Sequence, residues 1–90
     1  MTARCFRRRP DIGETEVDAD LFLVDPRSEE IYHLDAHAAG LWRLLAEPRD
    51  RAEIEQVFAA AFPEADADRV RRDLDQALRR LQAQDLIVAG

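Results

Sequence analysis

A chain of 90 residues with 13 basic and 19 acidic side chains and a net charge of −6 makes one domain, near the small end of what folds on a hydrophobic core alone. Apolar residues at 47% suffice for that core, and charges at 36% are interspersed along the chain, which argues against wholesale disorder. The basic residues are all Arg, a bias we assign to codon usage and not to chemistry.

The distribution of charge is more informative than its sum. Residues 1–10 carry four Arg and no acid. Between Asp11 and Asp35 stand nine acids against the single base Arg27, a local charge of −8. Such a region repels phosphate and suits a cationic partner. Cys5 is the only cysteine, so neither a disulfide framework nor a thiolate cluster is expected. With no apolar run of signal-peptide or membrane-span length, the expectation is a soluble cytoplasmic protein without membrane contact.

In chain order, residues 1–13 read as an N-terminal arm: a basic cluster at Arg7–Arg9, then Pro10, then a turn at Asp11-Ile12-Gly13. A frayed, solvated segment is the expectation for it, the alternatives being an arginine cluster that holds phosphate or an acidic partner, or that folds back on the acidic strands of its own chain. Residues 14–90 read as the single folded domain. Glu14–Val17 suits a short edge strand. Leu21–Val24, a continuous apolar run, suits a strand covered on both faces. Asp25-Pro26 opens a turn, and Ile31–Leu34 pairs back, with Tyr32 and Leu34 facing inward and Ile31 and His33 outward.

Asp35 stands at a helix N-cap, and the period then becomes helical over 36–46 through Ala38, Leu41, Trp42 and Leu45. Gly40 in mid-helix costs about 1 kcal/mol relative to Ala, which predicts a close helix crossing there. Asp50 with Glu53 forms a capping-box start for a second helix over 51–62, carrying Ile54, Val57, Phe58, Ala61 and Phe62 on one face. Asp66 or Asp68 caps a third helix over 67–84. Its apolar stripe is Val70, Leu74, Ala77, Leu78 and Leu81, and its polar side holds Arg69, Arg71, Arg72, Arg79 and Arg80 with Asp73 and Asp75. Leu86-Ile87-Val88 closes the chain. The predicted fold is α+β: a three-stranded antiparallel sheet followed by three helices, in winged helix–turn–helix order.

No chemical motif emerges. His33 and His37 with Asp35 lack a third nitrogen or sulfur ligand and the helical spacing of a metal site. No glycine-rich phosphate loop is present, and Ser28, the only serine, lies in a turn. Neither catalysis nor a cofactor is expected. Two interaction sites remain: the open edge of Glu30–Leu34, to which an extended peptide can add as a strand, and the arginines of the third helix, which a winged-helix DNA regulator would use through Arg71 and Arg72. The net charge and the acidic sheet region disfavour nucleic acid. A structural subunit of a larger enzyme is a third reading. An exposed edge and a loose arm also allow a homodimer.

The run Leu21-Phe22-Leu23-Val24, then Ile31-Tyr32-His33-Leu34-Asp35, Ala38-Ala39 and Leu41-Trp42-Arg43-Leu44-Leu45 resembles the PqqD family, in which a strand ending leads directly into a helix bearing a Trp. Arg49–Ile54 is similar to the start of that family's second helix. Asp73-Leu74, Leu78, Leu81 and Leu86-Ile87 are similar to its closing segment. The likeness spans residues 9–88. Departures are Asp35 for Asn, Glu47 near a usual Gly, and Asp85 for Gly, the last two removing residues suited to positive φ. The resemblance implies a peptide chaperone, a recognition element for ribosomally made, modified peptides. Its partners would be the leader segment of a precursor peptide and a modifying enzyme, such as a radical SAM protein. It places the leader as a strand between Glu30, Ile31, Tyr32, His33 and Leu34 on one side and Val70, Asp73, Leu74 and Ala77 on the other. Glu29, Glu30 and Asp73 there favour Lys or Arg in the guest.

Overall fold

The computed structural model describes residues 4–18 and 20–90. The elements are β1 Cys5–Arg8, β2 Gly13–Val17, β3 Asp20–Asp25, β4 Glu30–Leu34, α1 Ala36–Leu44, β5 Arg49–Asp50, α2 Arg51–Ala61, α3 Ala67–Ala83 and β6 Ile87–Ala89. Sheet and helix content makes the fold mixed α+β with three helices, as the periodicity predicts.

The strands form two sheets. One is the meander β2-β3-β4, antiparallel throughout and closed at its β3–β4 end by the pairing of Asp25 with Glu30. Leu21 and Leu23 of the central strand are fully buried, whereas every residue of β2 is exposed. The turn after β3 is tightened by its own acid: Asp25 Oδ1 accepts from the Arg27 amide at 3.0 Å, and Glu29 takes a φ of 60° to donate its amide to the Asp25 carbonyl at 2.8 Å. Asp25 is 3% exposed, and Arg9 at 3.7 Å and Arg27 at 3.5 Å balance its charge.

The second sheet, ordered β5-β1-β6, corrects the expectation for the N-terminus. Cys5–Arg8 is a central strand, paired with Arg49-Asp50 on one side and Ile87–Ala89 on the other. Arg8 and the adjoining Arg9 are spent on the domain itself, while Arg7 is exposed. Arg8 lies 4.5 Å over the Trp42 ring and donates Nε to the Trp42 carbonyl at 2.7 Å. Arg9 reaches Asp11, Asp25 and the Asp85 carbonyl. A run of like charges reads as solvated in sequence because its acceptors lie far along the chain.

The helix starts follow the predicted caps. Asp35 accepts from the Ala38 amide at 2.8 Å; Asp50 and Glu53 exchange both bonds of a capping box; Asp66, not Asp68, caps α3. Around Trp42 pack Leu41, Leu45, Ile54, Phe58, Leu74, Leu78, Leu81, Leu86 and Ile87, all buried. Two expectations need correction. A Cβ on Gly40 would meet nothing within 4 Å, so no close crossing explains that glycine. Asp85, in place of Gly, still takes a φ of 57°. Its amide bonds the Gln82 carbonyl at 3.0 Å and that of Leu86 bonds the Leu81 carbonyl at 2.9 Å, the double bond pattern of a Schellman end.

Candidate functional site: a strand edge facing a helix

Among the described residues β4 is a border strand, paired with β3 on one side alone. Backbone groups alternate in direction along an antiparallel strand, so half of those on β4 point away from β3. What lies beyond that open edge is α3. Two hollows line the interval. One, of about 440 Å³, lies between Glu30 and Tyr32 of β4 and Ala83, Gln84 and Asp85 at the end of α3. The other, of about 470 Å³, lies between Asp35, His37 and Ala38 at the start of α1 and Asp73, Gln76, Ala77 and Arg80 of α3. Strand and helix thus run side by side with a trough between them.

The sequence explains this geometry. Leu34 is buried and Asp35 caps α1 at once, so strand and helix are joined without slack. The stripe Leu74, Ala77, Leu78 and Leu81 pins α3 on the same core. Neither side of the trough can shift without opening that core.

The nine residues anticipated for a peptide site are placed unequally. Glu30, Tyr32, Asp73 and Ala77 line the trough. Leu34 and Leu74 are 4% and 0% exposed and form its support from beneath. The side chains of Ile31 and His33 take the outward face. Ile31 is 67% exposed, and His33 Nε2 meets Asp20 at 3.0 Å with its ring beside Phe22. These two can offer backbone alone to the edge. Val70 stands farther up α3, in separate hollows with Phe62 and Ala65.

Several lining residues escaped the sequence reading. Asp35, His37, Gln76, Arg80, Ala83, Gln84 and Asp85 belong to the trough, and the helical period could have found Gln76, Arg80, Ala83 and Gln84, which continue the line of Asp73 and Ala77 along α3. The Oε1 atom of Gln84 is buried without a partner among the described residues, an acceptor held beside the strand edge.

The trough is acidic. Asp25, Glu30, Asp35, Asp73 and Asp85 line it against Arg27 and Arg80, and Arg80 approaches Asp35 at 3.8 Å. Glu30 also accepts from the Tyr32 hydroxyl at 2.8 Å. That bond to the neutral phenol is the main cause holding the Tyr32 pKa above its usual 10.0, with desolvation and the nearby carboxylate charge adding to it. Elsewhere on α3, Arg71 pairs with Asp68, so charges of both signs share the face a DNA-reading helix would need. Among the described residues no group of three or more His, Cys, Asp or Glu could hold a metal ion, and no helix is long and apolar enough to cross a membrane.

Fold and trough together define a small α+β domain whose border strand and last helix face each other, the geometry that accepts an added strand. The chain belongs to the PqqD family: the model described as coenzyme PQQ synthesis protein D (PqqD) matches residues 20–87. Two solved structures share the fold. TbiB1 in complex with the TbiA(beta) leader peptide superposes with a TM-score of 0.78 at 26% identity, over 90% of this chain and 93% of that one. A lasso peptide synthetase B1 complexed with the leader peptide gives 0.74 at 28% identity, over 92% and 96%. No curated protein matches the sequence.

Proposed function

We propose that this domain binds the leader segment of a ribosomally made precursor peptide and presents it to a modifying enzyme. The observation that carries the reading is the unpaired edge of β4 set opposite α3. An extended chain entering there gains ladder bonds along Glu30–Leu34, which fix register with little demand on sequence. The α3 wall, with Asp73, Ala77 and Gln84, then reads side chains. Family membership and the two structural neighbours, both solved with leader peptides, support the same reading.

The residues present support binding and presentation, not chemistry. No nucleophile–base pair is assembled in the trough, and the acids that line it suit attraction of a basic guest. Docking orders a flexible leader, which costs about 2–5 kcal/mol of the gross interaction, so affinity depends on how rigidly the trough is held. The modifying enzyme acts on the core segment of the same precursor while the leader is retained here.

Titrating isotopically labelled protein with the precursor peptide encoded nearest its gene tests this directly. Amide shifts are expected along Glu30–Leu34 and the trough side of α3. Shifts confined to β2, or to the outward arginines of α3, would overturn the assignment.

A further inference from the structure

The trough does not end where β4 ends. α3 has 17 residues and β4 has five, lengths of about 26 Å and about 17 Å at the usual rises. The first turns of α3 therefore run past the strand. There the wall opposite is the end of α2, with His37 between the two regions: it lines the hollow beside Asp35 and also a smaller one of about 210 Å³ with Phe62, Ala65, Val70 and Asp73. That smaller hollow shares Phe62, Ala65 and Val70 with a third, of about 370 Å³. The hollow beside Asp35, where β4 gives way to α1, thus adjoins this upper pocket.

Its chemistry differs from the lower trough. Where five carboxylates line the interval below, the upper pocket adds the apolar walls Phe62, Ala65 and Val70 to His37, Arg69 and Asp73. Phe62 is 40% exposed, an unusual placement for a large aromatic ring. The ring is not loose: it stacks on His37 at 5.1 Å and 25° and meets Phe58 at 6.2 Å. An exposed apolar ring held rigidly at the exit of a peptide trough is pre-organised for a side chain arriving along it.

Resting on the leader-binding reading, we infer that the guest peptide is recognised in two parts: a basic stretch along β4, and one bulky apolar side chain, aromatic or branched aliphatic, seated between Phe62, Ala65 and Val70. The occupant is the same peptide continuing past Leu34, because the two regions share the walls His37 and Asp73. The spacing between the two parts is constant, since the strand edge and the Phe62 ring are fixed to one core. Phe62 and Ala65 are the specificity residues of the upper pocket, and neither is part of the core cluster.

Selection from a phage-displayed library of random peptides on the immobilised protein tests this without knowledge of the natural precursor. Enriched peptides should carry Lys or Arg residues and a large apolar residue at one fixed distance from them. Replacing that residue by Ser should weaken binding roughly tenfold, the worth of burying such a side chain. The same replacement should have no effect against Ala65→Arg, which fills the pocket, or Phe62→Ser. Unchanged melting of both variants checks their fold. If enriched peptides shift the β4 amides but show no fixed apolar position, or if the preference survives Ala65→Arg, the upper pocket is refuted and leader binding stands. Enriched peptides that leave the β4 amides unmoved would refute both. A library with no binder refutes the two-part rule, and the precursor titration still decides the function.

Discussion

At the scale of single residues, three positions carry sharp expectations. Asp85 holds a φ of 57° at a helix end where glycine meets no steric penalty. Asp85→Gly should raise stability by about 1 kcal/mol in denaturant unfolding, and a loss instead would mean that its carboxylate matters more than its backbone. Gly40 has open space where a Cβ would stand, so Gly40→Ala should add about 0.5–1 kcal/mol. Tyr32 is the only tyrosine, so phenolate absorbance reports on it alone. Its titration should lie above the usual 10.0 because Glu30 accepts from the neutral hydroxyl, and Glu30→Gln should bring it down. The sign for stability follows: a pKa raised on folding favours the protonated form, so this contribution is complete below pH 10.0 and fades as pH climbs through the folded value. A midpoint at or below the ordinary tyrosine value would remove the Glu30 bond from solution.

At the scale of elements, β1 decides more than its four residues suggest. It joins β5 to β6 as the central strand of their sheet, and Phe6 packs against the core while Arg8 clamps Trp42. Phe6→Ala should cost about 2 kcal/mol, less than a fully buried Phe because Phe6 is partly exposed. Removing residues 1–9 should abolish cooperative melting of the α1–β5 corner, read as loss of the Trp42 fluorescence transition. If the shortened chain melted unchanged, the second sheet would be dispensable. β4 shows the opposite economy. Its outward side chains Ile31 and His33 do little for the core, and under the proposed function its value lies in the backbone edge that faces α3.

At the scale of the whole molecule, charge and shape act together. The acids of the trough stand on both of its walls, Glu30 on β4 and Asp73 on α3, while three of the N-terminal arginines lie on or beside β1. On the proposed function, a cationic guest should therefore be drawn to the trough. Peptide affinity should fall as ionic strength rises, since Glu30, Asp35 and Asp85 are exposed and screened by salt. The double reversal Glu30→Lys and Asp73→Lys should weaken a basic peptide about tenfold or more, with unchanged affinity marking backbone and apolar contacts as sufficient.

The local code alone determined most of the elements. Capping acids Asp35 and Asp50, the apolar run Leu21–Val24, the alternation in Ile31–Leu34 and the helical stripes are features of residues close in sequence, so their period and spacing reveal them. The strand at Cys5–Arg8 was not legible, because a strand rich in arginine is defined by partners more than forty residues away, such as Arg49 and Ile87. The site divides in the same way. That Glu30–Leu34 is a border strand can be read from its position before Asp35, and Asp73 and Ala77 follow from the period of α3. That His37 stacks on Phe62, that Gln84 offers an orphan carbonyl oxygen, and that the trough continues to an apolar pocket depend on how three helices are set on one core, and only tertiary packing decides that.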